Sequence, residues 1–419
     1  MFSLGCKVNS YECSALSSML LKEGYIEAGK DTPDVFIINT CSVTSTADQK
    51  SRQHIRKFMK LYPNAISVVM GCYAQGNAEL IAKEIKPNIL AGTSHRKDIP
   101  ELIKKFMETK EQIIVVDENP RKYTYEEMGV TSFSENTRAY LKIQDGCDNF
   151  CTYCIIPYRR GKMRSRSREA VLEEAKYLVS QGYQEIVLSG IHVGGYGKDL
   201  GNYSFSDLVR ELLDIPNLYS LRISSIEESE IDDQLIELLN TKKNLAKHLH
   251  IPLQSGSETV LKRMNRKYLP SEFLAKLRKL RAACPDVAFT TDVIVGFPGE
   301  TEEEFKETFN FIKECGFDQL HVFPYSQREG TAAATMPNQI DPRIKNERVK
   351  ALMDLSTSLW NEYTSRFIGQ QVEVLVERFV NNLNIGHTTN YIEVAIPSKE
   401  GKVGSKITVK LQKSSIVSK

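Results

Sequence analysis

Residues 139–154 read AYLKIQDGCDNFCTYC. An apolar strand pattern, AYLKI, runs almost directly into Cys147, Cys151 and Cys154, spaced Cys-x3-Cys-x2-Cys. That spacing puts three thiolates on one short loop, able to hold three irons of a cubane and leave the fourth iron without a protein ligand. A structural zinc site would normally add a fourth Cys or His nearby, and none follows within the loop. An iron with an open position can bind a cofactor, so the loop is predicted to be a cofactor site at the carboxyl end of a strand.

Working outward, six strand patterns follow from Arg138: AYLKIQDGC, EIVLSGIHV, SLRISSIE, HLHIPLQS, FTTDVIVGF and QLHVFPYS. Helical patterns such as EAVLEEAKYLVSQGY and EFLAKLRKLRAAC separate them. Six strand–helix units are too few for a closed eight-stranded barrel and predict an open, partial (β/α)6 barrel over 138–357, with its chemistry at the carboxyl ends of the strands. Residues expected at that mouth are Gly190 after the second strand, Ser224, Ser225 and Glu227 after the third, Gln254 after the fourth, and Val295 and Gly296 after the fifth. The serines and Glu227 could bind a ribose or the substrate, and the serines could equally cap the helix that follows. Gly296 would allow close approach of a flat ring.

Upstream, residues 1–116 also alternate short apolar strands with helical patterns, which predicts a Rossmann-like parallel sheet with covering helices. Cys6, Cys41 and Cys72 each sit just past a predicted strand. A single cysteine there is usually a small buried hydrophobe. Three at the same structural position point to convergence on one sheet edge. Residues 117–137 (DENPRKYTYEEMGVTSFSENT) are polar and without sustained period, and read as a linker. Residues 358–419 change texture, and their period-2 segments QQVEVLVERFV, GHTTNYIEVAIPS and SKITVKLQK predict a small antiparallel β-barrel.

The 419-residue chain is 41% apolar and 26% charged, as expected of two or three folded domains. Its formal net charge of +2 excludes a global positive field, so nucleic-acid binding must come from local patches. Two such patches stand out. Arg159, Arg160, Arg164 and Arg166 follow the cysteine loop, and Arg378, Tyr391 and Lys406 lie in the last domain. The run could hold RNA phosphates or form a solvated charged face, and the second group could pair phosphate contacts with base stacking. No stretch is long and apolar enough for a membrane span and the N-terminus lacks a signal-peptide layout, so a cytoplasmic location is expected. Nine cysteines, an odd number, then favour metal ligation or catalysis over a disulfide framework.

The segments FSLGCKVNSYE, INTCSVTSTADQKSR, VMGCYAQ, LKIQDGCDNFCTYCIIPYRRGKMRSR, HIPLQSGSETVLKRMNR, TDVIVGFPGETEEEF and FPYSQREGTAA resemble those of the radical S-adenosylmethionine methylthiotransferases across the whole chain. The last domain resembles the RNA-binding TRAM module. The phrases IQDGCDNFCTYCIIPYRRGKMRSR and RISSIE are most similar to the branch acting on threonylcarbamoyladenosine beside the tRNA anticodon. The resemblance implies two [4Fe-4S] clusters, an auxiliary one on Cys6, Cys41 and Cys72 and a radical one on Cys147, Cys151 and Cys154. It further implies S-adenosyl-L-methionine as cofactor, with Tyr153 near its adenine. The implied partners are the tRNA anticodon stem-loop and a reductant protein such as flavodoxin or ferredoxin, and the enzyme is expected to be a monomer. The implied reaction replaces a hydrogen on carbon 2 of the modified adenine with a methylthio group, the hard chemistry belonging to the cofactors. Alternatives are isopentenyladenosine in tRNA, an aspartate of a ribosomal protein, or a non-catalytic iron–sulfur RNA-binding protein. Two departures from the family stand out. The chain has only Met1 to Ser3 before its Leu-Gly-Cys phrase, so either the first strand is short or the start is late. Ser189-Gly190-Ile191-His192 stands where many radical enzymes carry Gly-Gly-Glu.

Overall fold

Strands Val35–Thr40 and Ile66–Gly71 are buried along nearly their whole length, as parallel strands covered on both faces must be. They form the middle of a five-stranded parallel sheet, flanked by Phe2–Ser3 on one side and by Ile89–Ala91 and Ile113–Val115 on the other. The computed structural model describes residues 1–130 and 137–417. Strand order in this sheet follows chain order, without the reversal of a doubly wound sheet. Apolar cores lie on both faces, one built on Leu16, Met70 and Ile103, the other on Ile38, Ile55 and Val69. The first strand, Phe2–Ser3, pairs with Ile38 and Asn39.

The six strands of the central domain are Arg138–Lys142, Glu185–Ser189, Ser220–Ile223, His248–His250, Ala288–Val295 and Gln319–Pro324. They run parallel as two triplets, joined where Leu221 bridges Leu245 and the Ile226 N–H reaches the His250 carbonyl. The result is the open, partial barrel. Local chemistry sets its helix starts: Ser204 and Asp207 form a capping box for Phe205–Leu213, and Thr301 and Glu304 another for Glu302–Cys315. Cys284 and Cys315 are buried in the barrel core.

Helix Pro342–Ser365 carries the chain from the barrel into a curled four-stranded antiparallel sheet, a half-barrel. The helix runs through residues 357 and 358, so the boundary read from the sequence falls inside one rigid element. Trp360 and Tyr363 pack from it onto Val374, Ile392 and Val394 of the sheet. The stretch 117–137 has little regular structure among its described residues, and 131–136 lie outside them. Residues 117–130 are no free tether, because Pro120 and Val130 are buried, Glu126 pairs with Arg96 and the Tyr125 hydroxyl donates to the Lys142 carbonyl.

A candidate two-cluster cysteine site

Each predicted N-terminal cysteine stands at the carboxyl end of a strand. Cys6 follows Phe2–Ser3 and caps helix Lys7–Lys22, Cys41 follows Val35–Thr40, and Cys72 follows Ile66–Gly71 and opens helix Cys72–Gly76. Three adjacent parallel strands therefore deliver three thiols to one edge. Gly5 makes this approach possible: its φ is +99°, and a Cβ there would lie 2.6 Å from Cys41 Sγ. Cys6 is exposed, whereas burial pushes the Cys72 thiol up to about 11 and raises Cys41.

The second triad lies on a loop stapled at several points. The Thr152 hydroxyl donates to the Arg263 carbonyl (2.9 Å), the Ala333 N–H to the Thr152 carbonyl (2.8 Å), and Asn265 Nδ2 to the Phe150 carbonyl (2.9 Å). Burial pushes the Cys154 thiol up to about 12, so iron must displace protons when it binds. Among the described residues no three His, Cys, Asp or Glu side chains could hold a single metal ion. Cubane ligands, by contrast, bind separate irons.

Between the triads lies a buried network. Arg160, fully buried, donates from Nε to Cys72 Sγ (3.2 Å), from Nη1 to Glu12 (2.8 Å) and Asp145 (3.1 Å), and from Nη2 to Asn9 Oδ1 (2.9 Å). Arg96, Lys142 and Arg164 also pair with these carboxylates, and Arg96 with Glu126 as well. Four cations thus face three carboxylates, and a Cys72 thiolate bound to iron would supply the fourth negative charge. A buried charge left uncompensated is costly, so the donor set fits thiolate ligation at this edge. The cationic neighbours hold the Glu12 and Asp145 carboxyls well below the usual range against the opposing cost of burial.

On the barrel side, Arg266 reaches Cys151 Sγ with Nη1 (3.6 Å) and grips Glu227 with both terminal nitrogens. Burial alone would lower the His192 pKa, but contact with Cys147 and with Glu230, 2.8 Å away, raises it to about 10. Sequence reading missed Asn9, Glu12, Arg96, Asp145, His192 and Arg266. All six are polar side chains whose partners lie far away in the sequence, and local spacing gives no sign of that.

The predicted mouth residues divide. Tyr153 packs beside a cluster that includes Phe297 and Met264, at the cysteine loop. Gly190 lies against Gln144, whose side-chain oxygen accepts from the Ile191 and His192 N–H groups (3.0 and 2.7 Å). Ser224 and Ser225 follow the third strand half-buried, and neither caps the next helix: Asp232 does, accepting from Leu235 N–H. Gln254 has φ +63° at a buried strand end, the kind of backbone outlier that clusters at functional sites. Two residues end the fifth strand. The Val295 side chain is buried in the barrel core, and the room beside Gly296 is taken by the Lys345 stem, so the glycine there serves its φ of +69° and helix packing.

The basic run needs correction. Arg160, Arg164 and Arg166 are buried, Arg160 and Arg164 in the network above and Arg166 against Glu127 and Glu174. Buried guanidiniums held by carboxylates cannot also bind RNA phosphates. Arg159 is half-buried over Gly76. Tyr391 stacks on His248 (4.2 Å between centroids) and His387, which docks the half-barrel on the barrel and removes it from base stacking. Arg378 pairs with Glu393, and exposed Lys406 lies over the Tyr219 ring.

A partial barrel with Cys-x3-Cys-x2-Cys after its first strand defines the class, and residues 141–312 match the radical SAM superfamily. Residues 1–92 match an uncharacterized protein family, UPF0004. The radical SAM methyltransferase TsrM from Kitasatospora setae shares the fold, with TM-score 0.58 at 13% identity over 77% of this chain and 71% of that one. A threonylcarbamoyladenosine tRNA methylthiotransferase of Bacillus subtilis is 46% identical, covering 98% of this chain and 93% of its own length. One from Aquifex aeolicus is 35% identical, covering 94% and 95%. A tRNA-2-methylthio-N(6)-dimethylallyladenosine synthase of Pelotomaculum thermopropionicum is 37% identical, covering 95% and 92%. The chain belongs to the tRNA methylthiotransferases of the radical SAM superfamily.

Proposed function

We propose that this enzyme attaches a methylthio group to carbon 2 of N6-threonylcarbamoyladenosine beside the tRNA anticodon. One observation carries the reading: two cysteine triads, one from three strand ends and one from a single loop, are joined by the buried Arg160 network. Cys6, Cys41 and Cys72 would hold one [4Fe-4S] cluster, and Cys147, Cys151 and Cys154 the other together with S-adenosylmethionine. When bound, these groups supply reductive carbon–sulfur cleavage and the sulfur to be transferred. The chain's own residues hold the two sites in register, close the mouth with Tyr153 and Arg266, and exclude water. An electron-carrier protein such as flavodoxin or ferredoxin supplies electrons in the cytoplasm, and the enzyme works as a monomer. Among the described residues no helix is long and apolar enough to cross a membrane. Exposed Lys406, with Arg378 and Arg159, contributes to the RNA contact.

The relative acting on dimethylallyladenosine, at 37% identity, supports that base as the second reading. Anaerobic reconstitution followed by nucleoside mass spectrometry separates the two. The expected result is about eight irons per chain, falling to about four in Cys147→Ala/Cys151→Ala/Cys154→Ala, with methylthio product on threonylcarbamoyladenosine tRNA from wild type only. Product on dimethylallyladenosine tRNA alone would select the second reading, and no product on either would remove both.

A further inference from the structure

Arg160 touches both halves of the site, with Nε 3.2 Å from Cys72 Sγ and Nη1 3.1 Å from Asp145, two residues before Cys147. It is fully buried, and its remaining contacts, Glu12 and Asn9, lie on the helix that begins beside Cys6. An N–H donor on a ligand sulfur stabilises the more negative, reduced form of an iron–sulfur cluster, and hydrogen bonds to sulfur are one of the levers that set its potential. We infer that Arg160 is a positioning residue that raises the reduction potential of the cluster held by Cys72 while tying that cluster's ligand to the loop bearing the other triad.

This inference rests on the two-cluster reading above. Glu12 gives it a sign. Its carboxylate accepts from the same guanidinium and faces the same edge, so removing Glu12 leaves the edge more positive and removing the guanidinium fork removes the sulfur's donor. The two changes therefore push the auxiliary potential in opposite directions. General loosening of the interface would move both the same way.

The test is an EPR-monitored redox titration of the reconstituted full-length enzyme, with the barrel signal marked by its change on addition of S-adenosylmethionine. Arg160→Lys, which keeps the charge and loses the Nε–H, is expected to lower the auxiliary potential by about 59 mV, a tenfold change in the reduced-to-oxidised ratio for one electron. Glu12→Gln is expected to raise it. An unchanged auxiliary potential in Arg160→Lys, or shifts of the same sign in both variants, overturns the inference. If Arg160→Lys fails to fold, Glu12→Gln decides alone, a lowered or unchanged potential being the overturning result. Fewer than about eight irons in wild type would instead sink the two-cluster reading itself.

Discussion

The two cysteine triads are built by opposite means. Cys147, Cys151 and Cys154 share one loop, stapled by backbone and side-chain hydrogen bonds to residues 263–265 and 333, so their grouping is a local property. Cys6, Cys41 and Cys72 come from three strand ends, and their grouping exists only once the parallel sheet has formed. The loop triad is thus specified by spacing and the sheet triad by strand register. The buried network around Arg160 is the seam where the two kinds of specification meet.

The most disruptive way to test this contrast is to cut the seam. Arg160→Met strips Glu12, Asp145 and Asn9 of the hydrogen bonds that the guanidinium donates, and hydrogen bonds to charged groups contribute about 1.5–3 kcal/mol each. Denaturant unfolding of the apo-protein would show it, and a loss under about 1 kcal/mol would mean that the apolar cores alone hold the halves together.

Gly5→Ala attacks only the sheet triad. It forces a side chain into positive φ against Cys41, at a cost of about 1–3 kcal/mol. Iron should fall towards about four per chain while the S-adenosylmethionine-dependent barrel signal stays. Loss of both signals would show that the triads are not independently assembled.

Acid sharpens the comparison at the opposite interface. Burial would raise the Glu185 pKa, but Arg222 and Arg138 hold it down to about 2, and both arginines also contact the half-barrel. A carboxyl depressed on folding contributes stability that is complete above its unfolded value, near 4.5, and is lost as pH falls towards 2. Trp360, the only tryptophan, lies in the helix–sheet core. Its emission in the apo-protein should therefore change between about pH 4.5 and 2, and Arg222→Met should remove much of that dependence. An unchanged titration in the variant would assign the acid response elsewhere.

The smallest effect concerns Lys406. Because it is exposed, Lys406→Ala should change stability by less than about 0.5 kcal/mol. It should weaken tRNA binding and reduce the salt slope by about one. Filter binding at several salt concentrations would reveal this, and an unaltered slope would place the RNA elsewhere.

Sequence alone determined the strand–helix alternation of both parallel domains, the antiparallel texture of the last one and the grouping of Cys147, Cys151 and Cys154, because periodicity and spacing are local signals, whereas the grouping of Cys6, Cys41 and Cys72 needed the register of the sheet. The sequence could not decide what the arginines do. Arg159 and Arg160 are adjacent and chemically identical, yet one lies half-buried over Gly76 and the other is sealed against Cys72 and two carboxylates. Tyr391 likewise read as a stacking platform for RNA until His248 of the barrel came to occupy it. Only the tertiary structure decided these cases, because a charged or aromatic side chain takes its role from partners that folding brings from distant sequence.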